Sequence, residues 1–418
     1  MTTNWAGNLT YRAAHIAEPA DEDALTSILT QARRDGTTVR VLGSRHSFND
    51  VADTDGIIVS LAALARADRV EVAPDRASVR IPAGIRYGDL VPVLEREGLA
   101  LSNLASLPHI SVAGAVQTGT HGSGDRVGAL GTQVAAVELL TAAGERVTIR
   151  RGDGDFPGAV VGLGAIGIVT HLVLDVEPDY TVAQTVYEGV RWDDALARFD
   201  ELTGAGDSVS LFTRWTDPDV IDQVWVKART TSHPDDLSGF GARAADGPRH
   251  PIPGIDPTPS TAQEGAPGPW YDRLPHFRLA FTPSAGEELQ SEYLVARADA
   301  VAAIQAVRAL AGRISPLLLT CEVRTMAADD LWLSPAYGRP TVGIHFTWQR
   351  DEEAVRALLP ALEAALPEST RPHWGKIFTL QGDEVRRRYP RFDDFAALRA
   401  RLDPDRRFVG DYLARLGL

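Results

Sequence analysis

The sequence is poor in cysteine, with Cys321 alone among 418 residues. An intrachain disulfide is therefore excluded, and so is a metal cage built from several thiolates. Long apolar runs are also lacking, since no stretch approaches the ~20 residues that span a bilayer. Residues 1–14 contain no apolar segment of the signal-peptide kind. We therefore expect a cytoplasmic protein with no membrane partner, and we predict no metal site.

Basic side chains are outnumbered, with 42 lysines and arginines against 56 aspartates and glutamates, for a formal net charge of −14. Nucleic acids and anionic membranes attract basic surfaces, so both are disfavoured as partners. Hydrophobic residues make up 44% of the chain and charged residues 23%, which is ordinary for a folded globular protein. A chain of 418 residues exceeds one ordinary core, so we expect two domains.

Hydrophobic periodicity indicates a mixed α/β region up to about residue 180, followed by longer strands that alternate with helices. The predicted helices are 20–35, 87–98, 299–311, 352–366 and 393–402. The predicted strands are 39–42, 57–61, 77–81, 135–140, 146–149, 168–176, 208–215, 223–228, 288–295, 314–324 and 340–348. We expect strands 208–215 and 223–228 to pair. The proline- and glycine-rich stretch 232–269 is predicted to be a long surface loop, and the sequence assigns it no role.

A predicted strand runs into the turn Gly43-Ser-Arg-His-Ser47. Glycine permits a sharp turn, so successive backbone N–H groups can converge on an anion there. Arg45 adds a permanent cation, and the two serines add hydroxyl donors, which suits a pyrophosphate. Taken alone, an ordinary strand-to-loop turn with a surface histidine at His46 explains the pattern equally well.

A second loop of small residues runs from Ser111 to Gly124 and contains Gly114 and the sequence Thr-Gly-Thr-His-Gly at 118–122. Small side chains allow the backbone to approach a bulky planar ligand closely. The spacing matches neither the dinucleotide fingerprint nor the P-loop, so nicotinamide and ATP sites are not indicated. A purely structural glycine-rich loop is the alternative.

Two predicted strands carry polar groups on one face, because side chains alternate along a strand. One face of the earlier strand holds Thr320, Glu322 and Arg324. One face of the later strand holds Gly343, His345 and Thr347, while Val342, Ile344, Phe346 and Trp348 form its core face. Such compact hydrogen-bonding groups suit a polyhydroxylated ligand. A solvated face of an antiparallel sheet is the other interpretation.

The segment Arg371-Pro-His-Trp-Gly-Lys376 places a lysine close to a histidine, an indole and a glycine. A lysine beside an electron-rich ring can stabilise negative charge that develops on that ring. An exposed lysine in a loop would give the same sequence pattern.

The motifs Asn4-Trp-Ala-Gly-Asn8, Gly43–Ser47, Gly114–Gly122, Glu322-Val-Arg324, His373-Trp-Gly-Lys376 and Leu402-Asp-Pro404 together resemble the aldonolactone oxidase branch of the vanillyl-alcohol oxidase flavoprotein superfamily. Within this branch they are most similar to the bacterial alditol oxidases, and the resemblance covers nearly the whole chain. It implies an α+β fold in three parts. Residues 1–180 would form an FAD-binding domain of two α/β subdomains, and residues 181–370 a substrate-binding domain with a large antiparallel sheet covered by helices. Residues 371–418 would return to the flavin side.

The resemblance implies FAD bonded covalently through its 8α-methyl carbon to His46, whose neutral imidazole nitrogen would be the nucleophile. Further FAD contacts are implied for Val41, Leu42, Gly43, Ser44, Arg45, Ser47, Ser106, Ser111, Gly114, Thr118, Gly119, Thr120, His121, Ile168 and His373. Catalytic roles are implied for Glu322, Arg324, His345 and Lys376, and substrate contacts for Ser106 and Thr347.

The implied reaction is oxidation of the terminal primary alcohol of a small polyol, such as xylitol or sorbitol, to the aldose. Flavin takes the hydride, and oxygen is then reduced to hydrogen peroxide. Either Lys376 or His345 is the base, or Lys376 stabilises the reduced flavin. The alternatives are an aldonolactone oxidase or dehydrogenase acting on a gulono- or arabinono-1,4-lactone, and a non-catalytic carbohydrate-binding protein. Several separate hydroxyl partners favour the open-chain polyol.

Overall fold

In a computed structural model of the chain, residues 2–232, 234–281 and 287–418 are described. The strands are β1 (Ile16–Ala17), β2 (Val39–Leu42), β3 (Ile57–Ser60), β4 (Glu71–Val72), β5 (Ser78–Pro82), β6 (Leu99–Ala100), β7 (Val134–Leu140), β8 (Arg146–Arg150), β9 (Ile168–Asp175), β10 (Glu177–Pro178), β11 (Thr181–Glu188), β12 (Ser208–Thr213), β13 (Gln223–Arg229), β14 (Arg243–Ala244), β15 (Gly268–Pro269), β16 (Glu288–Ala296), β17 (Leu318–Met326), β18 (Thr341–Gln349) and β19 (Arg371–Pro372). The α-helices are α1 (Glu22–Asp35), α2 (Tyr87–Arg96), α3 (Val112–Gln117), α4 (Phe156–Val160), α5 (Trp192–Ala197), α6 (Phe199–Thr203), α7 (Ala300–Ala309), α8 (Ala311–Ile314), α9 (Glu352–Ala365), α10 (Gly382–Arg388), α11 (Phe392–Leu402) and α12 (Asp411–Arg415). Within the described ranges, none of the helices is long and apolar enough to cross a membrane.

Among the described residues, the N-terminal part of the chain builds three small sheets. One is parallel in the order β1-β3-β2, one is antiparallel in the order β4-β5-β9-β7-β8, and β6 and β10 form an antiparallel pair. A single hydrophobic core joins them through residues such as Leu29, Val59 and Leu172. The C-terminal helices return to the same core through Phe408 and Leu413. This arrangement confirms the predicted α+β fold, whereas the exact domain boundaries stay a prediction.

Helix α1 illustrates how the local sequence sets an element's ends. Asp21 accepts a hydrogen bond from the backbone N–H of Ala24 at 2.7 Å, which satisfies one donor of the first turn. Gly36 has a φ of 70° and its N–H donates to the carbonyl of Ala32, so the helix ends in a left-handed cap that favours glycine. Leu25, Leu29 and Ala32 share the buried face, as the helical spacing predicted.

A large antiparallel sheet follows, in the order β14-β11-β13-β12-β17-β18-β16-β19. Strands β12 and β13 are neighbours, which confirms the predicted pairing. The predicted core face of β18 is fully buried and packs with residues of α7 and α9, for example Ile304 and Leu359. The opposite face of the sheet is thereby turned towards the N-terminal part.

Two predictions about this region need correction. The strand predicted at 314–324 begins only at Leu318, because Ile314 ends helix α8 and a short 3₁₀ turn follows. The stretch 232–269 is mostly irregular, but it is not simply a surface loop: Leu237 and Phe240 join the core of the large sheet, and Thr261 is buried. His233, which belongs to that prediction, lies outside the described residues.

Candidate functional site

A cavity of about 670 Å³ lies between the N-terminal sheets and the large sheet. Its volume falls within the range of small-molecule and cofactor sites, roughly 300–1,000 Å³. One end is lined by the Gly43–Ser47 turn and by residues around Ser111 and Gly114, and the other end by the polar face of β16, β17 and β18. The two glycine loops and the two polar strand faces singled out in the sequence therefore meet in one place.

Ser111 sits where the two glycine loops approach each other. A Cβ atom added at Gly43 or at Gly114 would lie 2.6 Å from the Ser111 hydroxyl oxygen in either case, so glycine at both positions makes room for this hydroxyl. The Ser111 hydroxyl is buried and has no hydrogen-bond partner among the residues that the structure describes. A buried polar atom without a partner is costly, and a polar ligand group in the cavity would satisfy it.

His46 stands on the same turn and is held from both sides. Its Nδ1 lies 3.0 Å from the carbonyl of Ser44, and its ring stacks on Trp5 with the ring centroids 5.1 Å apart. Trp5 is fixed in turn by a 2.8 Å backbone hydrogen bond to the carbonyl of Arg45. Burial lowers the pKa of His46 to about 4, so the imidazole is neutral at physiological pH and one ring nitrogen keeps a free electron pair.

These features fit FAD, whose pyrophosphate would be held by the donors of the glycine loops. The turn offers backbone N–H groups, hydroxyls and the cation of Arg45, whose φ of 65° places it in the left-handed region that nest-like anion sites use. The cavity supplies room for a flat ring system between this turn and the large sheet. The residues present therefore suit the group that the sequence implies.

Three adjacent strands build the opposite wall of the cavity. In the observed register, His345 of β18 lies beside Glu322 of β17 and beside Glu292 of β16. Glu322, Arg324, His345 and Thr347 are each less than 9% exposed. The interpretation of this face as a solvated sheet surface is therefore wrong: it is a buried polar wall, which the N-terminal part covers.

Glu292 is the centre of this wall, and we did not predict it from the sequence. One carboxylate oxygen accepts a hydrogen bond from Arg324 Nη2 at 2.9 Å and lies 3.0 Å from His121 Nε2, and the other lies 3.3 Å from His345 Nδ1. Burial alone would raise the pKa of Glu292, but the charges of His121 and Arg324 outweigh it and hold that pKa well below its usual range. A Cβ atom at Gly343 would approach both Glu292 and His121 to 3.3 Å, so this glycine makes room for the pair.

The strand pattern did contain a signal for Glu292. Glu288, Gln290 and Glu292 alternate along β16 and therefore share a face, as the polar residues of β17 and β18 do. All three line the cavity. The same period that identified Glu322 and His345 would have identified them.

Lys376 lines the cavity as well. Its ammonium group donates a hydrogen bond to the side-chain oxygen of Gln290 and lies 4.9 Å from the centre of the Phe48 ring. Burial lowers the pKa of Lys376 to about 8, which leaves the amine mostly charged at neutral pH. The exposed-lysine interpretation is thus wrong.

His345 is neutral under the same conditions, because burial lowers its pKa below the usual value. The carboxylate of Glu292 faces Nδ1, which favours the tautomer with hydrogen on Nδ1. Nε2 is then unprotonated and accepts a 3.3 Å hydrogen bond from the Thr347 hydroxyl. An imidazole arranged in this way can accept a proton from a ligand hydroxyl.

Most of the remaining expected residues also lie at the cavity. Ser106 accepts a hydrogen bond from Arg324 Nη1 at 3.3 Å, and His373 is buried next to the His121 ring at 6.3 Å. Two expected residues do not line the cavity. Gly119 packs against Pro335, although its neighbours Thr118 and Thr120 line the cavity. Ile168 is buried in the core, although residues 167 and 169 line the cavity.

Two further groups of lining residues had no clear signal in the sequence. His276 lies in an irregular segment, where no strand or helix period indicates which way a side chain faces. His250, Pro251 and Ile252 come from the stretch to which we assigned no role, and they line the outer part of the cavity. Thr320 fixes this segment by donating a hydrogen bond to the carbonyl of Pro251 at 3.2 Å.

Comparison with known proteins agrees with this geometry. Residues 13–150 match the family described as FAD binding domain, and residues 286–416 match the D-arabinono-1,4-lactone oxidase family. An alditol oxidase from Streptomyces sp. (strain IKD472 / FERM P-14339) is 46% identical over 99% of this chain and 98% of its own length. An L-gulono-1,4-lactone dehydrogenase from Mycobacterium tuberculosis is 30% identical over 99% of this chain and 98% of its own. A solved structure of cholesterol oxidase from B. sterolicum has a similar fold, with a TM-score of 0.79 at 15% identity over 99% of this chain and 96% of that chain.

Proposed function

Because the chain belongs to the alditol oxidase family of FAD-dependent oxidoreductases, we propose that it oxidises the terminal primary alcohol of small polyols to the aldose. Xylitol and sorbitol are the proposed substrates, and oxygen is reduced to hydrogen peroxide. The observation that carries this proposal is the buried wall of β16, β17 and β18. It aligns a carboxylate, a guanidinium, an imidazole and hydroxyl groups on one face opposite the FAD end of the cavity.

Glu322 and Arg324 are the proposed binding groups for neighbouring substrate hydroxyls. They share one face of β17, and Arg324 Nε lies 3.5 Å from a carboxylate oxygen of Glu322. Although burial favours the neutral acid, Arg324 and His276 hold the pKa of Glu322 well below its usual range. The pair thus offers an acceptor and a donor side by side, and charge-assisted hydrogen bonds of this kind are strong.

We assign the base to His345 rather than to Lys376. Nε2 of His345 is unprotonated and accepts a long, 3.3 Å hydrogen bond from Thr347 that a substrate hydroxyl would replace, whereas the amine of Lys376 is mostly protonated at neutral pH. His345 would take the proton of the reacting hydroxyl, and Glu292 would stabilise the imidazolium that forms. Bound FAD supplies the hydride acceptor. Lys376 would contribute a positive charge to the cavity, where negative charge develops during the reaction.

We further propose that FAD is bonded covalently to His46. An imidazole nitrogen would replace one hydrogen of the 8α-methyl group, and the two electrons released would pass through the flavin ring to oxygen. The neutral imidazole and its fixed position between Ser44 and Trp5 support this, because a nucleophile needs a free electron pair held in place. We expect acid-precipitated protein to stay yellow and to give a fluorescent band after denaturing electrophoresis. His46→Ala should lose the band. His109→Ala serves as the control, since His109 is a half-buried histidine whose Nε2 lies 2.9 Å from the carbonyl of Leu279. If the wild-type band shows no flavin fluorescence, the covalent bond is excluded.

An aldonolactone is the alternative substrate, because relatives named for lactones match the chain over nearly its full length. Peroxide formation should be compared for xylitol, sorbitol and L-gulono-1,4-lactone under identical conditions. The proposal predicts the larger kcat/KM for the polyols. A larger value for the lactone would assign the enzyme to the lactone-oxidising members of the family.

A cytoplasmic location stays a prediction.

A further inference from the structure

A buried lysine and a buried histidine form a chain that ends on Glu322. Lys227 of β13 donates from Nζ to the carbonyls of Leu274 at 2.5 Å and Pro275 at 3.1 Å, and it lies 3.2 Å from Nδ1 of His276. Nε2 of His276 lies 2.8 Å from a carboxylate oxygen of Glu322. His276 and Glu322 line the cavity, whereas Lys227 stands behind them with 1% of its surface exposed.

The direction of these hydrogen bonds follows from the chemistry of the groups. An ammonium group has three donors and no acceptor, so Nδ1 of His276 accepts from Lys227. The ring itself is neutral, because burial and the charge of Lys227 lower the pKa of His276 to about 4. Its single hydrogen therefore stands on Nε2 and is donated to Glu322. Lys227 thus selects the tautomer of His276 that Glu322 requires.

His276 is also the group that orients Glu322. The guanidinium of Arg324 gives its 2.9 Å hydrogen bond to Glu292 and leaves Nε at 3.5 Å from Glu322, which is a long contact. The 2.8 Å hydrogen bond from His276 is shorter. Phe212 and Trp225 pack edge-on against the His276 ring, each with its ring centre 5.4 Å away. These contacts and the hydrogen bond to Lys227 restrict the movement of the imidazole.

We propose that Lys227 and His276 are positioning residues which fix one oxygen of Glu322 and leave its other oxygen directed at the substrate hydroxyl. This inference rests on the proposed polyol oxidation for the role of Glu322. The two residues act through Glu322 and touch neither of the reacting atoms. Misplacement of a substrate-orienting group by about 1 Å can cost roughly a hundredfold in rate. Loss of the hydrogen bonds from Lys227 through His276 to Glu322 should therefore lower kcat/KM measurably.

The first test compares three variants by anaerobic flavin reduction with xylitol. His276→Leu removes the donor and should lower kcat/KM by about ten- to a hundredfold without loss of bound flavin. In His276→Gln a side-chain amide N–H can replace the donor, so most of the lost rate should return. Thr261→Val is the matched control, because the Thr261 hydroxyl anchors the same segment through a 2.8 Å hydrogen bond to Pro275 and does not contact Glu322. If His276→Leu and Thr261→Val lower kcat/KM equally, the hydrogen bonds of Lys227 and His276 only hold that segment in place, and the proposal is overturned.

The second test does not depend on turnover. Nitrogen-15 NMR of the holoenzyme, with the His276 signals assigned by their loss in His276→Leu, should show hydrogen on Nε2 alone. Lys227→Met removes both the donor to Nδ1 and the charge that lowers the pKa of His276, so the ring should take up a second proton on Nδ1 at higher pH than in the wild type. Burial lowers the pKa of Lys227 to about 7, so spectra should be recorded one unit below that value. Hydrogen on Nδ1 in the wild type would overturn the proposal. If xylitol fails to reduce the flavin while Nε2 carries the hydrogen, only the substrate assignment is wrong. The same variants are then tested for flavin reduction with L-gulono-1,4-lactone as substrate.

Discussion

Replacement of Glu292 by glutamine should lower both stability and catalytic rate, because this buried carboxylate faces three nitrogen groups. His121 Nε2, Arg324 Nη2 and His345 Nδ1 lie 3.0, 2.9 and 3.3 Å from its oxygens. Removing one partner of a buried ion pair typically costs about 3–5 kcal/mol. Glutamine keeps the shape but removes the charge, so we expect the free energy of unfolding to fall by about 3 kcal/mol. His345 loses the carboxylate that stabilises its protonated form, and kcat/KM for xylitol should fall about a hundredfold, or ~2.7 kcal/mol.

Urea unfolding and anaerobic flavin reduction measure the two effects on the same preparation. Glu363→Gln is the control, since Glu363 accepts hydrogen bonds from the Tyr293 hydroxyl at 2.7 Å and the Thr379 N–H at 2.8 Å on the other side of β16. It should lower stability and leave kcat/KM nearly unchanged. If Glu292→Gln keeps wild-type kcat/KM, Glu292 plays no part in the reaction and the role given to His345 is wrong.

Three further outcomes follow from the same geometry. Gly114→Ala places a methyl group 2.6 Å from the Ser111 hydroxyl and should lower the flavin content, which is measured by the flavin absorbance of the purified protein. Gly312→Ala is the control, because the added methyl group meets nothing within 4 Å and should leave the flavin content unchanged. Lys376→Met should slow anaerobic flavin reduction by polyol far more than it lowers flavin content, and unchanged reduction kinetics in stopped flow would remove Lys376 from the mechanism. Because burial lowers the pKa of His345 from 6.5 and only the neutral ring accepts a proton, the fall of kcat/KM towards acid pH should begin only below pH 6.5; an acid-side fall that begins above that value would contradict the assignment of the base.

Strand alternation made the substrate wall predictable, because a period of two fixes which side chains share a face whatever the rest of the fold does. Glu322, Arg324, His345 and Thr347 were placed on their face in this way, and the register of β17 and β18 brings them together. What alternation could not supply was the environment of that face. Whether a polar face is solvated or buried depends on what covers it, and here the cover comes from residues more than 150 positions away, such as Ser106 and His121.

The residues that sequence reasoning missed fall into two physical classes. Glu292 obeyed the same alternation as its neighbours, so its signal was present. His276 and Lys227 gave none, because a chain of hydrogen bonds from β13 through an irregular segment to β17 is set by tertiary packing. The proline-rich stretch shows the same limit: its composition indicated an irregular backbone correctly, but it could not reveal that Pro251 would be fixed against β17 at the cavity.

Anaerobic mixing of the purified, flavin-containing enzyme with xylitol tests the central claim most directly. The account predicts that the absorbance of oxidised flavin is lost at a rate that saturates with xylitol concentration, and that oxygen then restores it with one peroxide formed per flavin. L-gulono-1,4-lactone should reduce the flavin more slowly. If the lactone bleaches the flavin and xylitol does not, the wall of Glu322, Arg324 and His345 binds a ring rather than an open-chain polyol, and the proposed function is wrong.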